Sequence, residues 1–174
     1  MGSHISSEGE VRDPTRRILD SIRRIVQLLR ESSREAEALG LSGAQLFVLR
    51  TAADSPGLSV GALAERTRTH QSSVSVVVAR LVEQGLLERS TAPDDSRRAE
   101  VRLTPEGLQR IRSAPATAQE RLVAAVDALP KASRGRLASM LDALVQELAL
   151  GHTHPEMFFQ DSEERARKAR LANV

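Results

Sequence analysis

The apolar residues between positions 58 and 107 follow two different periods. Val74, Val77, Val78 and Leu81 recur at the helical spacing i, i+3, i+4 and i+7, which predicts an amphipathic helix with that stripe turned toward a core. The segments LLERS and EVRLT alternate apolar and polar residues instead, as the two strands of a hairpin do. A shorter helical stretch precedes the stripe. The pattern therefore predicts helix, turn, helix and hairpin, in that order.

Capping and turn residues mark the ends of these elements. Ser59 and Thr69 are predicted to N-cap the two helices, because their side-chain oxygens can accept a hydrogen bond from a free N–H of the first turn. Gly85 stands where a left-handed C-cap would end the second helix. Between the strands, TAPDDSRRA combines a proline and two aspartates, which favour turns, with two adjacent arginines. The stretch is predicted to be a winged helix-turn-helix, and this loop is its wing.

The outer face of the second helix is small or polar except for one valine and one arginine. Its backbone can therefore approach a flat surface such as a DNA major groove, where Val76 offers an apolar contact to a thymine methyl group. In the wing, Asp95 can orient Arg97, and a narrow minor groove concentrates the negative potential that favours this cation. The predicted DNA-binding residues are Gln71, Ser72, Ser73, Ser75, Val76, Arg80, Asp95, Arg97 and Arg98.

Helices are predicted on both sides of this stretch. Asp13 followed by Pro14 predicts the start of a long first helix, since proline at the first helical position loses no hydrogen bond. A capping box of Ser42 and Gln45 predicts the next helix. After the wing, Pro115 is expected to kink or interrupt a helix, and a cap at Ser133 is expected to begin the last one. The expected fold is mainly α with a small β-hairpin wing.

The first and last helices carry more apolar surface than one small subunit needs. The first has an apolar face formed by Ile18, Ile22, Ile25 and Leu29, and the last has a leucine seam formed by Leu137, Leu141, Leu144 and Leu148. The seam could pack against the chain's own first helix. The interpretation preferred here is a homodimer interface, which makes these the N- and C-terminal dimerisation helices of the winged helix-turn-helix.

Length and composition indicate one domain. The 174 residues show no division into two units. Residues 1–12 resemble the remnant of a purification tag, and 13–150 are predicted to form the domain, with the winged helix-turn-helix at 41–104 and the dimerisation helices at 13–40 and 105–150. Residues 151–174 form a tail. The net charge of +2 agrees with nucleic-acid binding without establishing it.

Several classes of function are excluded by what the sequence lacks. It contains no cysteine, no glycine-rich phosphate loop and no Ser-His-Asp set in an orienting context, so neither catalysis nor a cofactor is expected. No apolar run approaches the roughly 18 residues of a membrane span, so we expect no membrane contact and a cytoplasmic location. His152, His154 and Glu156 are metal-ligand types. Their spacing does not place both imidazoles on one helix face, so no metal site is predicted, and a metal-responsive regulator using this tail stays an alternative.

Three segments, GLLERS, DDSRR and VRLTPEG, resemble the MarR family of prokaryotic transcriptional regulators, and the similarity extends over residues 14–150. The family's wing has an Asp-x-Arg pattern, matched by Asp95 and Arg97, and its closing strand leads into Leu-Thr-x-x-Gly, matched by Leu103, Thr104 and Gly107. The family often has an arginine where this chain has Val76.

The resemblance implies a homodimeric repressor on double-stranded DNA. Its two recognition helices would read successive major grooves of a palindromic operator. A small anionic or phenolic ligand would release it by binding in the crevice between the dimerisation helices and the winged helix. Residues expected by position to line that crevice are Arg23, Arg24, Phe47 and Arg50. The alternative is a winged-helix module for protein interaction without direct DNA readout, which would need no wing arginines.

Overall fold

The computed structural model describes residues 13–91, 99–112, 114–150 and 157–158. Within these ranges the order of elements is the predicted one, with a two-stranded antiparallel hairpin following the second helix of the helix-turn-helix. The mainly α fold with a hairpin wing is thereby confirmed. The elements are α1 (Pro14–Ala38), α2 (Gly43–Asp54), α3 (Val60–Thr67), α4 (Gln71–Glu83), β1 (Leu87–Thr91), β2 (Ala99–Leu103), α5 (Pro105–Ile111), α6 (Ala118–Asp127) and α7 (Lys131–Glu147).

Local capping explains where the first two helices begin. The Asp13 carboxylate accepts a hydrogen bond from the amide of Thr15, and Pro14 occupies the first turn of α1. In α2 the predicted capping box is present: the Gln45 amide donates to Ser42 Oγ at 3.2 Å, and the Ser42 amide donates to Gln45 Oε1 at 2.7 Å. Both starts are therefore fixed by residues next to them in the chain.

The boundaries of the later helices agree with the prediction at Pro115 and differ from it at Ser133. Helix α5 ends at Ile111 and α6 starts at Ala118, so the predicted interruption around Pro115 is confirmed. The predicted cap at Ser133 is wrong, because α7 begins at Lys131, directly after Pro130. Ser133 consequently lies inside the first turn, where its hydroxyl is not in the capping position.

The core lies among α2, α3, α4 and the hairpin, which together form what we call the reading head. Eight of the twelve residues of α2 are buried, among them Leu46, Phe47 and Leu49. In the hairpin, Leu87 pairs with Leu103 and Thr91 with Ala99, and Leu58 adds one further bridge to Val101. Leu87 and Val101 are buried and Leu103 packs partly buried against the core, as the alternation predicts.

The terminal helices lie largely outside this core. Only Leu29, Ser33 and Ala36 of α1 are buried, and no residue of α7 is. The idea that the leucine seam packs against the chain's own first helix is therefore wrong for a single copy. The apolar residues left exposed on these two helices are Ile18, Leu19, Ile22, Ile25, Val26, Leu137, Met140, Leu141, Leu144 and Val145.

Candidate nucleic-acid interface

The turn between α3 and α4 sets the start of the candidate recognition helix. Arg68 closes α3 in the left-handed conformation (φ 54°). Thr69 belongs to this closure, since its amide donates to the carbonyl of Ala64 at 3.0 Å and its hydroxyl donates to the carbonyl of Thr67 at 3.0 Å. The N-cap of α4 is His70, without a side-chain capping bond. The predicted Thr69 cap is wrong because the preceding helix already uses that hydroxyl.

One side of α4 is packed into the core. Val74, Val77, Val78 and Leu81 are all at most 1% exposed, which confirms the predicted stripe. The helix ends as expected at Gly85, whose φ of 68° is the left-handed conformation that glycine adopts without a steric cost. This burial fixes which residues of α4 are left to face outward.

The outward side of α4 carries most of the predicted contact residues. Gln71, Ser72 and Val76 are exposed, and Ser75 and Arg80 are half-buried. Ser73 is only 8% exposed, so its expected place on the outer face is wrong. The reason is helical geometry: Ser73 lies one turn before Val77 and therefore shares the buried side.

A junction after the hairpin joins the wing to the end of α4. The Thr104 hydroxyl donates to the carbonyl of Gly85 at 2.7 Å and accepts from the amide of Gly107 at 3.0 Å, while the Thr104 amide donates to the carbonyl of Leu86 at 3.2 Å. A Cβ at Gly107 would lie 2.1 Å from the oxygen of Leu86. The Leu-Thr-x-x-Gly pattern thus has a physical cause: the threonine ties the junction, and only glycine fits against it.

The rest of the wing falls beyond what the structure describes. Strands β1 and β2 are present with their register, but the loop between them, residues 92–98, contains Asp95, Arg97 and Arg98 and lies outside the described residues. The hairpin places the two ends of this loop together at Thr91 and Ala99. The predicted roles of the wing arginines stay predictions.

A cavity of about 560 Å³ lies between α2, α3 and α6. Phe47 lines it together with four carboxylates and two guanidinium groups: Asp54, Glu65, Glu120, Asp127, Arg66 and Arg68. Arg50 does not line it; its Nε donates to Glu120 Oε1 at 2.9 Å, and its Nη1 donates to the carbonyl of Ala114 at 3.0 Å. Carboxylates therefore outnumber the cations that face this space.

Arg23 and Arg24 line neither this cavity nor a smaller one of about 250 Å³ next to the α3–α4 turn. Both are exposed on α1, and the Arg23 guanidinium pairs with Asp20 at 2.8 Å within the same helix. Their expected place in a ligand crevice is not supported within one copy of the chain. The physical reason is that this half of α1 does not pack on the reading head.

A second cavity, of about 250 Å³, is closer to the recognition helix. Its walls come from Phe47 of α2, from the α3–α4 turn, from α6, and from Met157 and Phe158 near the end of the chain. Gln119 of α6 also lines it and is only 6% exposed. Its Nε2 donates to the carbonyl of Phe158 at 2.8 Å, and its Oε1 is buried without a hydrogen-bond partner among the described residues.

Gln119 and Met157 were not among the predicted site residues. At this end of the chain Met157 is the buried side chain, the Phe158 side chain is half exposed, and Phe159 lies outside the described residues. The capping-box pattern of Thr117 and Glu120 could have located the start of α6. No local pattern relates Gln119 to a residue 39 positions later.

Two further expectations concern metals and membranes. His152, His154 and Glu156 lie outside the described residues. Among the residues that are described, no group of three or more His, Cys, Asp or Glu side chains could hold a metal ion. No helix in the described part of the chain is both long and apolar enough to cross a membrane.

Comparison with known proteins identifies the family. A family model described as MarR family matches residues 39–98. An HTH-type transcriptional regulator of Mycobacterium tuberculosis is 33% identical over 110 residues, which are 62% of this chain and 77% of that protein. A transcriptional regulatory protein assigned to the hcr operon of Thauera aromatica is 42% identical over 64 residues, but the alignment spans only 37% of this chain and 39% of that protein.

Solved structures agree in fold. YusO from Bacillus subtilis superimposes with a TM-score of 0.50 at 24% identity, covering 79% of this chain and 99% of that one. BpsR of Bordetella bronchiseptica, whose DNA binding is regulated by 6-hydroxynicotinic acid, has a TM-score of 0.50 at 24% identity, covering 82% and 97%. The chain belongs to the MarR family of winged helix-turn-helix transcriptional regulators. Homologues in this family are transcriptional regulators, not enzymes.

Proposed function

We propose that two copies of this chain form a repressor that reads a palindromic DNA operator with α4 and the wing. Family membership gives transcriptional regulation and DNA binding. The observation that supports the finer proposal is the one-sided burial of α4, whose apolar stripe is buried while its opposite side is left to solvent. A recognition helix needs this combination, because it must be held rigidly and still enter a major groove.

The proposed contacts divide by chemistry. Gln71 and Ser72, exposed at the start of α4, suit base edges and phosphates near the point where the helix enters the groove. Val76 suits a thymine methyl group. Ser75 and Arg80 lie at the border of the face. Asp95, Arg97 and Arg98 remain in the proposal as the wing's contribution to the minor groove, whereas Ser73 is withdrawn because it is buried.

The proposed dimer rests on the exposed apolar faces of α1 and α7. A two-fold dimer would place the same faces of both copies together, and its symmetry would match a palindromic operator. Contiguous apolar surface of this kind is uncommon on a monomer and marks an interaction site. Two copies held in this way would present two recognition helices to one side of the DNA.

The proposed ligand is a single-ring compound with a hydroxyl group. The cavity of about 250 Å³ is slightly smaller than the usual range for small-molecule sites, so only a small ligand fits, and the buried Gln119 Oε1 could accept a hydrogen bond from such a hydroxyl. A strongly anionic ligand suits the larger cavity poorly, since more carboxylates than guanidinium groups line it. Of the two ligand classes considered from the sequence, the phenolic one therefore has better support.

The alternative is a winged-helix module that binds a protein, and DNA retention distinguishes the two. Purified wild-type protein should retain a subset of genomic DNA fragments at physiological salt. Gln71→Glu should weaken binding to those fragments about tenfold or more, because it places a carboxylate against the DNA. The same change favours the start of α4, since negative charge stabilises a helix N-terminus, so loss of folding would not explain the effect.

Gln146→Glu on α7 is the matched control, because it adds the same charge at an exposed glutamine away from the reading head. It should leave DNA affinity within about twofold, as substitutions at exposed positions usually have small effects. If the wild type retains no fragment, or if both variants lose affinity equally, the proposed DNA readout by α4 is wrong.

A further inference from the structure

The only two residues described after position 150 lie against the reading head. Met157 is 6% exposed and belongs to the core cluster that contains residues of α2, α3 and α4. The carbonyl of the next residue, Phe158, accepts the hydrogen bond from Gln119 of α6 at 2.8 Å. An apolar side chain is thus buried and its neighbour's backbone is tied down. We call Met157 and Phe158 the strap.

The strap lies across a cavity from the helix-turn-helix turn. Met157 and Phe158 form part of the wall of the 250 Å³ cavity, and Thr67, Arg68, Thr69 and His70 form another part. Those four residues end α3 and provide the N-cap of α4. The helix start they control has no side-chain capping bond of its own. Packing around the turn therefore contributes to the position of this helix start.

An ion pair between exposed side chains also connects the turn to α6. Arg68 Nη2 lies 3.4 Å from Asp127 Oδ2, and both side chains are substantially exposed. Exposed ion pairs contribute little because water and salt screen them and the side chains lose entropy. Asp127 also receives a hydrogen bond from Arg134 of α7 at 2.9 Å, so its charge is shared. Burial of an apolar side chain such as Met157, which lines the same cavity as the turn, contributes more to stability than such an ion pair.

We propose that the strap is an intramolecular clamp that holds the α3–α4 turn against α6 and so sets the position of the recognition helix. Its consequence for DNA affinity rests on the proposed function, whereas the clamp itself is a property of the chain alone. A ligand entering the same cavity would contact strap and turn together. Displacing the strap would then loosen the start of α4, which gives the ligand a physical route to the DNA-binding surface.

Hydrogen exchange of the DNA-free protein tests the clamp. Shortening the chain after Glu156 removes the strap, and shortening it after Phe159 retains it, so the pair separates the strap from the rest of the tail. In the first variant the amides of residues 67–71 should exchange about tenfold faster than in the second, because local opening is governed by local packing. The amides of Leu86 and Val101 in the hairpin should be unchanged. Equal exchange in the turn, or faster exchange throughout the reading head, would overturn the clamp.

A point substitution provides an independent measurement. Met157→Ser should speed exchange in the turn in the same way, whereas Met157→Leu, which keeps an apolar side chain of similar volume at the same buried position, should not. On retained genomic fragments, Met157→Ser should also lower DNA affinity relative to Met157→Leu. Unchanged affinity together with faster exchange would overturn the link to the recognition helix. If the wild type binds no DNA, the proposed function fails, while the exchange data still decide the clamp.

Discussion

Helices α4 and α7 each carry an apolar stripe at helical spacing, and the two stripes have opposite surroundings. The stripe of α4 is at most 1% exposed, whereas Leu137, Leu141 and Leu144 of α7 are between 39% and 50% exposed. The spacing of apolar residues therefore indicates that a helix face is suited to burial, but it does not identify the surface that covers the face. The reading head completes its core within one copy. The seam of α7 needs a second surface, which we propose to be another copy.

The largest loss of stability is expected from a substitution at Gly107, where the hairpin meets α5. In Gly107→Ala the new methyl group would lie 2.1 Å from the backbone oxygen of Leu86, so the junction between hairpin and α5 would have to shift. We expect a loss of about 3 kcal/mol in the free energy of unfolding, the upper end of the usual range for overpacking. Urea denaturation at a fixed protein concentration measures it.

Gly135→Ala is the matched control in α7, where a Cβ would meet nothing within 4 Å. The same substitution should there stabilise the protein by about 0.5 to 1 kcal/mol, because alanine favours a helix over glycine. Destabilisation at both positions would mean that α7 is as tightly packed as the reading head, and the contrast between the two regions would be wrong.

Signals between neighbouring residues in the chain made most of the fold predictable. The caps at Asp13, Ser42 and Ser59 follow from side chains acting within three residues, and all three are present. The N-caps predicted at Thr69 and Ser133 are wrong for a related reason. A residue that can cap a helix does not do so when its hydroxyl is bonded to the preceding helix, as at Thr69, or when the helix already begins after a proline, as at Ser133.

The candidate site was predictable only in part. The exposure of Gln71, Ser72 and Val76 followed from helical periodicity. The burial of Ser73 also follows from helical periodicity, but serine is polar and therefore does not appear in a pattern of apolar residues. Cavities and the Gln119 contact to Phe158 arise where distant segments pack together, and no local pattern encodes them. Arg50 shows the same limit: its partner Glu120 is 70 positions away.

A second prediction concerns what covers α7. Val145 and Val76 are both 44% exposed, one on α7 and one on α4, and so form a matched pair. Val145→Arg should raise the dimer dissociation constant about 100-fold, or roughly 2.7 kcal/mol, because a symmetric interface would bury the new charge twice. Sedimentation over a dilution series measures it.

Val76→Arg should leave the dimer dissociation constant unchanged, since α4 is proposed to face DNA rather than the second copy. Should Val145→Arg remain dimeric at the same dilution as the wild type, the exposed apolar face of α7, to which Val145 belongs, would not be the dimer interface. Dissociation caused equally by both variants would instead remove the distinction between the two exposed valines.

The smallest effect expected is at Val76 itself, and it defines what that exposed valine is for. A side chain without charge or hydrogen-bonding groups can identify a thymine by contact with its methyl group, and it releases no counterions. Val76→Ser should therefore cost about 1 kcal/mol on an operator with thymine at the contacted position. The loss should disappear when that thymine is replaced by uracil, and the salt dependence of binding should not change.

Arg97→Ala in the wing should do the reverse, weakening binding to most sequences and flattening the salt dependence by about one unit of slope. Titrations of both variants on thymine and uracil operators over a salt series separate the two roles. An equal loss for Val76→Ser on both operators would mean that the valine does not read the methyl group, and an unaltered slope for Arg97→Ala would mean that the wing arginine does not contact phosphate.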